Sequence, residues 1–242
     1  MKDLKITIEQ LKAKIEGLDA QKILQIVFDE FGTRLTFASS LGEEDQVLTD
    51  MIAKIAPKIE VFTLDTGRLF PETYELIAKT QKRYSLDFKI YYPETKTVEV
   101  MVKEKGINLF YESVENRKLC CHVRKVEPLS RALRNKDAWI TGIRRAQALT
   151  RTQTEVVEWD EANKKIKINP LANWSLDDVR KYIQENGVDI NPLHSKGFVS
   201  IGCAPCTRAI NPGEDVRAGR WWWEQPEQKE CGLHNNPRRP KK

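Results

Sequence analysis

The chain has 242 residues, 40% hydrophobic and 31% charged, with a mean hydropathy of −0.54, as in globular proteins built from one large domain or a domain plus an extension. No apolar run approaches the roughly 18 residues of a membrane span, and Met1-Lys2-Asp3-Leu4-Lys5 carries no apolar signal core, so a cytoplasmic protein without membrane association is expected. Lys and Arg outnumber Asp and Glu by 40 to 35, and the resulting net charge of +5 is too small to decide on a partner.

The first predicted element is an amphipathic helix over residues 19–31, where Ile23, Leu24, Ile26 and Val27 recur at helical spacing between an Asp19 cap and Gly32. A short apolar strand follows at 34–38, then a helix at 44–56, a strand at 59–64, a helix at 71–83, a strand at 88–92 and a helix at 98–105. Such alternation implies parallel βαβ units and an α/β fold with a mostly parallel sheet. Further on, the pattern predicts a helix at 116–133, strands at 138–142 and 165–168, and a helix ending at Gly187 that Ser175 and Asp178 begin at capping-box spacing. From Asn211 the chain is rich in Pro, Arg and Trp without periodicity. The expected organisation is therefore a nucleotide- and cluster-binding domain at 1–210 and a mobile C-terminal extension at 211–242.

In open α/β sheets, ligands sit beyond the carboxyl ends of the strands, and helix N-termini there bind phosphate through free N–H groups. Ser39-Ser40-Leu41-Gly42-Glu43-Glu44-Asp45 follows the first strand, Asp65-Thr66-Gly67 the second, and Gly142-Ile143-Arg144 a later one. Each alone reads as an ordinary cap or turn. Three such ends facing one crevice favour a nucleotide site. Basic clusters at 117–125, 144–151, 217–220 and 238–242 suit an anionic ligand, although a charge run by itself is more often a solvated face.

Five cysteines in a reducing compartment point away from a disulfide framework. Cys120-Cys121 and Cys203-Ala204-Pro205-Cys206 form two close pairs, which read as four thiolate ligands. Adjacent cysteines suit tetrahedral zinc poorly, whereas the corners of an iron–sulfur cube are farther apart, so a [4Fe–4S] cluster is favoured over zinc and over unligated thiols. Cys231 is left over. A lone cysteine is commonly a small buried side chain, but Lys229, Glu230, Gly232 and His234 surround this one, and cationic neighbours favour a reactive thiolate. Trp221, Trp222 and Trp223 read as apolar anchors for the extension, with a base-stacking platform as the other option.

Four motifs carry a closer likeness: Cys120-Cys121-His122-Val123-Arg124-Lys125-Val126-Glu127-Pro128-Leu129, Gly202-Cys203-Ala204-Pro205-Cys206-Thr207, Arg217-Ala218-Gly219-Arg220-Trp221-Trp222 and Glu230-Cys231-Gly232-Leu233-His234. Together they resemble the assimilatory, thioredoxin-dependent reductases of adenosine phosphosulfate and phosphoadenosine phosphosulfate. The segments 39–45, 63–67 and 139–145 match as well, so the likeness spans roughly residues 34–234. It implies a fold like the adenine-nucleotide α-hydrolases. Relatives that cleave ATP carry a Ser-Gly-Gly-x-Asp-Ser loop, in which Ser40 and Leu41 here replace the glycines and Gln46 the last serine, so pyrophosphate chemistry is not expected.

The resemblance further implies Cys120, Cys121, Cys203 and Cys206 as cluster ligands and Cys231 as the nucleophile. It also implies Ser39, Ser40, Arg124, Lys125, Gly142, Arg151, Arg217, Arg220 and His234 around the nucleotide or its sulfate. The implied reaction transfers the sulfonyl group to Cys231, from which reduced thioredoxin or a similar dithiol releases sulfite. Activity on the 3′-phosphorylated substrate is the alternative, and a zinc-stabilised nucleic-acid-binding protein a remote one; a nucleic-acid partner is not expected, and a homo-oligomer is compatible with the sequence.

Overall fold

The computed structural model describes residues 2–147, 151–225 and Leu233, with side chains from Ile8 onward among these. Two helices, α1 (Lys2–Ile15) and α2 (Ala20–Phe31), precede the sheet. The Asp19 side chain accepts from the Lys22 amide to start α2, and Gly32 ends it at φ 50°. A four-residue strand, β1 (Leu35–Ala38), then enters the core, and α3 (Glu43–Ile55) follows from Gly42. Next come β2 (Glu60–Leu64), α4 (Pro71–Arg83), β3 (Phe88–Tyr91) and α5 (Thr95–Lys105).

The predicted helix at 116–133 is interrupted. It runs as α6 (Val114–Cys121), a π-helical turn over His122–Val126 and α7 (Glu127–Ala132). Such turns re-aim side chains within an otherwise helical stretch. Beyond it lie β4 (Ala138–Ile140), β5 (Val157–Asp160), β6 (Lys165–Ile168) and α8 (Leu176–Asn186), the last opened by a reciprocal capping box between Ser175 and Asp178 and closed by left-handed Gly187.

The six strands lie in the order β3–β2–β1–β4–β6–β5, all neighbours parallel except β5 and β6. Chain order runs outward from β1 to β3, then resumes at β4 on the other side of β1. The switch point is therefore between β1 and β4, where a crevice opens at their carboxyl ends. Phe37, Val61 and Ile140 are fully buried in the sheet and hold these ends in place. No helix among the described residues is long and apolar enough to cross a membrane.

Residues 211–225 contain neither helix nor strand, as expected, but they are packed rather than loose. A bridge joins Thr207 to Arg220, the Trp221 amide donates to the Cys206 carbonyl at 3.2 Å, and the Trp221 side chain is 1% exposed. Trp221 thus acts as an anchor. Trp222 is 41% exposed and meets Trp223 and Tyr111 edge-on at the surface.

Candidate functional site: a nucleotide cleft backed by a cysteine cavity

A cleft of about 380 Å³ opens at the switch point. Its floor is the turn between β1 and α3. The Ser40 amide and hydroxyl both donate to Asp45 Oδ2, each at 2.6 Å, so the loop's own carboxylate occupies part of the polar cradle. Burial pushes the Asp45 carboxyl up to about 6, against the Ser40 hydrogen bonds that favour its charged form. Leu41 sits at φ 61°. For a residue with a Cβ the left-handed conformation costs about 1–2 kcal/mol; burial of Leu41 with Leu76 and Ile77 offsets it. The loop therefore keeps a glycine-like backbone at position 41 with a leucine there.

Across the crevice, Gly142 leaves room that no other residue could, since a Cβ there would collide with the Asp45 carboxylate. Arg144 is paired with Glu44 through its Nε at 2.9 Å and a terminal nitrogen at 2.8 Å. Glu43, Glu44 and Asp45 all border the cleft, so the start of α3 is acidic. His194 lies in the same wall; its Nδ1 contacts the Phe198 carbonyl at 2.9 Å, and its buried Nε2 has no hydrogen-bond partner among the described residues. Nothing in its sequence context marks His194 as a cleft residue.

Behind the cleft lies a small cavity of about 20 Å³ lined by all four paired cysteines. Successive residues of a helix diverge by roughly 100°, yet Cys120 and Cys121 at the end of α6 both line this cavity. The second pair comes from a loop tied to the β2 end: the Ala204 amide donates to the Arg68 carbonyl at 2.8 Å, and Thr66 Oγ1 lies 3.2 Å from Cys203 Sγ. Among the described residues no three His, Cys, Asp or Glu side chains form a group that could hold a metal ion. The sulfurs share a cavity without closing on a point.

Arg68, Arg117, Arg124, Lys125 and Arg220 also line this cavity, and no carboxylate does. Burial opposes ionisation of Cys203, yet Lys125, the Thr66 hydroxyl, Arg220 and Arg124 outweigh it and hold the thiol below its ordinary value. Burial pushes Cys206 up to about 12, with Cys203 and Cys121 adding to the effect. It raises Cys120 too, partly opposed by Arg124. Trp221, in the cavity wall, has a buried indole N–H without a hydrogen-bond partner among the described residues. This donor set, four sulfurs with cations and an unmatched N–H, is chemically suited to an anionic group.

Lys125, Arg220 and Trp221 border both spaces, so one wall separates cleft from cysteine cavity. Of the residues predicted around the nucleotide, Ser39, Ser40, Lys125, Gly142, Arg151, Arg217 and Arg220 do line the cleft. Arg124 differs: it faces the cysteine cavity, and its guanidinium donates to the Thr66 carbonyl at 2.6 Å. Both residues lie in the π-helical turn and line the cysteine cavity, but only Lys125 also borders the cleft. Cys231 and His234 lie outside the described residues, but Leu233 between them packs on the apolar cluster of Phe62, Leu129 and Trp139 and borders the cleft.

Comparison with known proteins bears on this pair of spaces. The phosphoadenosine phosphosulfate reductase domain family matches residues 34–209. A Burkholderia cepacia protein named adenosine 5′-phosphosulfate reductase is 50% identical over 225 residues, 93% of this chain and 89% of that one. The Neisseria meningitidis protein of the same name is 49% identical over 225 residues, 93% of this chain and 90% of its own. Among solved structures, the phosphoadenylyl-sulfate reductase of Candida auris, a phosphate complex, superposes with a TM-score of 0.71 at 33% identity, covering 84% of this chain and 96% of that one. Yeast FAD synthetase shares the fold alone, with a TM-score of 0.57 at 16% identity over 80% of this chain and 65% of its own.

Proposed function

The chain belongs to the phosphoadenosine phosphosulfate reductase domain family, and we propose that it reduces adenosine 5′-phosphosulfate to sulfite and AMP in sulfate assimilation, by way of a sulfonated Cys231. The observation that carries this reading is the shared wall: Lys125 and Arg220 reach the nucleotide cleft and the four-cysteine cavity at once. Relatives near 50% identity bear the name of the enzyme acting on the substrate without a 3′-phosphate.

The nucleotide's phosphosulfate anhydride would lie under Lys125, Arg217 and Arg220, which border the cleft. Their charges offset the repulsion between a thiolate and an anion. Cys231 thiolate attacks the sulfate sulfur, the sulfur–oxygen bond to phosphate breaks, and AMP departs with that electron pair. Each cation aimed at the developing charge in a water-poor site is worth a few kcal/mol. One thiolate of a dithiol donor such as thioredoxin then attacks Cys231 Sγ and expels sulfite; the donor's second thiol resolves the mixed disulfide and restores Cys231. The two electrons come from the donor. His234 would help keep Cys231 ionised.

Cys120, Cys121, Cys203 and Cys206 would hold a [4Fe–4S] cluster. When bound, it would supply a fixed electrostatic field beside Lys125. Arg124 belongs with this group rather than with the phosphate, because its guanidinium is spent on the Thr66 carbonyl and faces the cysteines. Anaerobic purification with iron and sulfide analysis, followed by sulfite release from each of the two nucleotides with reduced thioredoxin, tests the reading. About four irons per chain and a higher kcat/KM without the 3′-phosphate are expected; zinc in colourless protein without sulfite release would overturn it.

A further inference from the structure

Arg117 and Glu224 form a bidentate ion pair in the interior, with side chains 0% and 2% exposed. Arg117 Nε and Nη2 donate to the two carboxylate oxygens of Glu224 at 2.9 and 2.7 Å. The same guanidinium lies over the Trp221 ring, 4.8 Å from its centroid, and hydrogen-bonds the Cys121 thiol one helical turn along α6. Arg220 stacks on Trp221 as well, at 4.7 Å. One buried cation thus joins a cysteine of the smaller cavity, the indole shared by both cavities, and a carboxylate one residue from the end of the packed segment 211–225.

A buried pair of this kind contributes little net stability beside an apolar pair of the same volume. Two parallel bonds do, however, fix a single geometry. What they fix here is the place where the chain leaves the cysteine side, seven residues before Cys231.

We propose that Arg117 and Glu224 are positioning residues for sulfur transfer: the pair clamps residues 221–225 to the cysteine-bearing helix and so sets the starting point from which Cys231 reaches the cleft. This rests on Cys231 being the sulfonyl acceptor. The clamp acts on the chemical step and not on nucleotide affinity, because neither residue borders the cleft.

The test follows full-length anaerobic protein in three forms: the parent, Glu224→Gln, and the double variant Arg117→Met with Glu224→Met, which removes both buried charges and so avoids an unpaired one. Three quantities are read: single-turnover sulfonation of Cys231 at saturating substrate, the Kd for AMP, and the alkylation rate of Cys231 by iodoacetamide. Sulfonation should fall by roughly 10- to 100-fold in both variants, as misplacement of a reacting group predicts. Alkylation should rise, and AMP affinity should stay within about twofold. If Glu224→Gln does not fold, the double variant decides alone. Sulfonation within about twofold of the parent, or a parallel loss of AMP affinity, overturns the proposal. A parent that forms no Cys231 adduct refutes the acceptor assignment instead, and the clamp falls with it.

Discussion

Gly142, just past the end of β4, and Asp45, in the first turn of α3, meet so closely that the glycine has no room for a side chain. The contact ties the two strand ends flanking the switch point into one floor. Gly142→Ala should therefore cost about 1–3 kcal/mol of stability, as overpacking does, and weaken AMP binding by displacing the Ser40–Asp45 turn. Calorimetric titration with AMP checks it. Unchanged affinity in a folded variant would dissociate the contact from the nucleotide site.

Asp45 gives this floor a pH dependence. Its folded value of about 6 stands above the ordinary 3.8, so the native state holds that proton more tightly than the unfolded chain. Stability therefore falls as pH rises between about 4 and 6, over which the unfolded carboxyl is already ionised. Asp45→Asn removes this component. Urea denaturation across that range should show the parent losing stability relative to the variant as pH increases; a constant difference would contradict the assignment.

Lys125 is a cation common to the cleft and the cysteine cavity. Lys125→Met keeps most of the length of the side chain and removes its charge. Rapid-quench measurement of Cys231 sulfonation should show a loss of about 100-fold or more, with AMP binding weakened far less. Equal losses in both would mean that Lys125 serves only to bind.

Cys203 carries the second pair's contact with Thr66. Cys203→Ala removes one of the four sulfurs and should drop iron and sulfide to a small fraction of the parent's content. The cleft is built from strand ends and should still bind AMP. Metal analysis beside titration reads both at once.

Much of this architecture is legible in the sequence because it rests on local signals. The strands at β1, β2 and β3 are apolar and bounded by turns, and the Ser175–Asp178 box marks the first turn of α8. β5 is not predicted because its alternating Val-Glu-Trp-Asp run is only four residues long and becomes a strand through antiparallel pairing with β6. α1 was missed as well; Ile8, Leu11 and Ile15 form its buried stripe, and their periodicity was there to be read. The site divides in the same manner. Cysteine spacing points to one four-sulfur cavity, whereas Arg124, which the family resemblance implies beside the nucleotide, faces the cysteine cavity and not the cleft. His194 and Glu224 gave no sequence signal at all, because what distinguishes them is burial next to a polar space or a distant cation.

The most direct measurement is intact-protein and peptide mass spectrometry after one anaerobic exposure to adenosine 5′-phosphosulfate without a dithiol donor. An added sulfonate of about 80 Da on Cys231, absent in Cys231→Ser and discharged as sulfite by reduced thioredoxin, is the expected result. Protein with its iron and sulfide intact that binds the nucleotide yet leaves Cys231 unmodified would contradict the account.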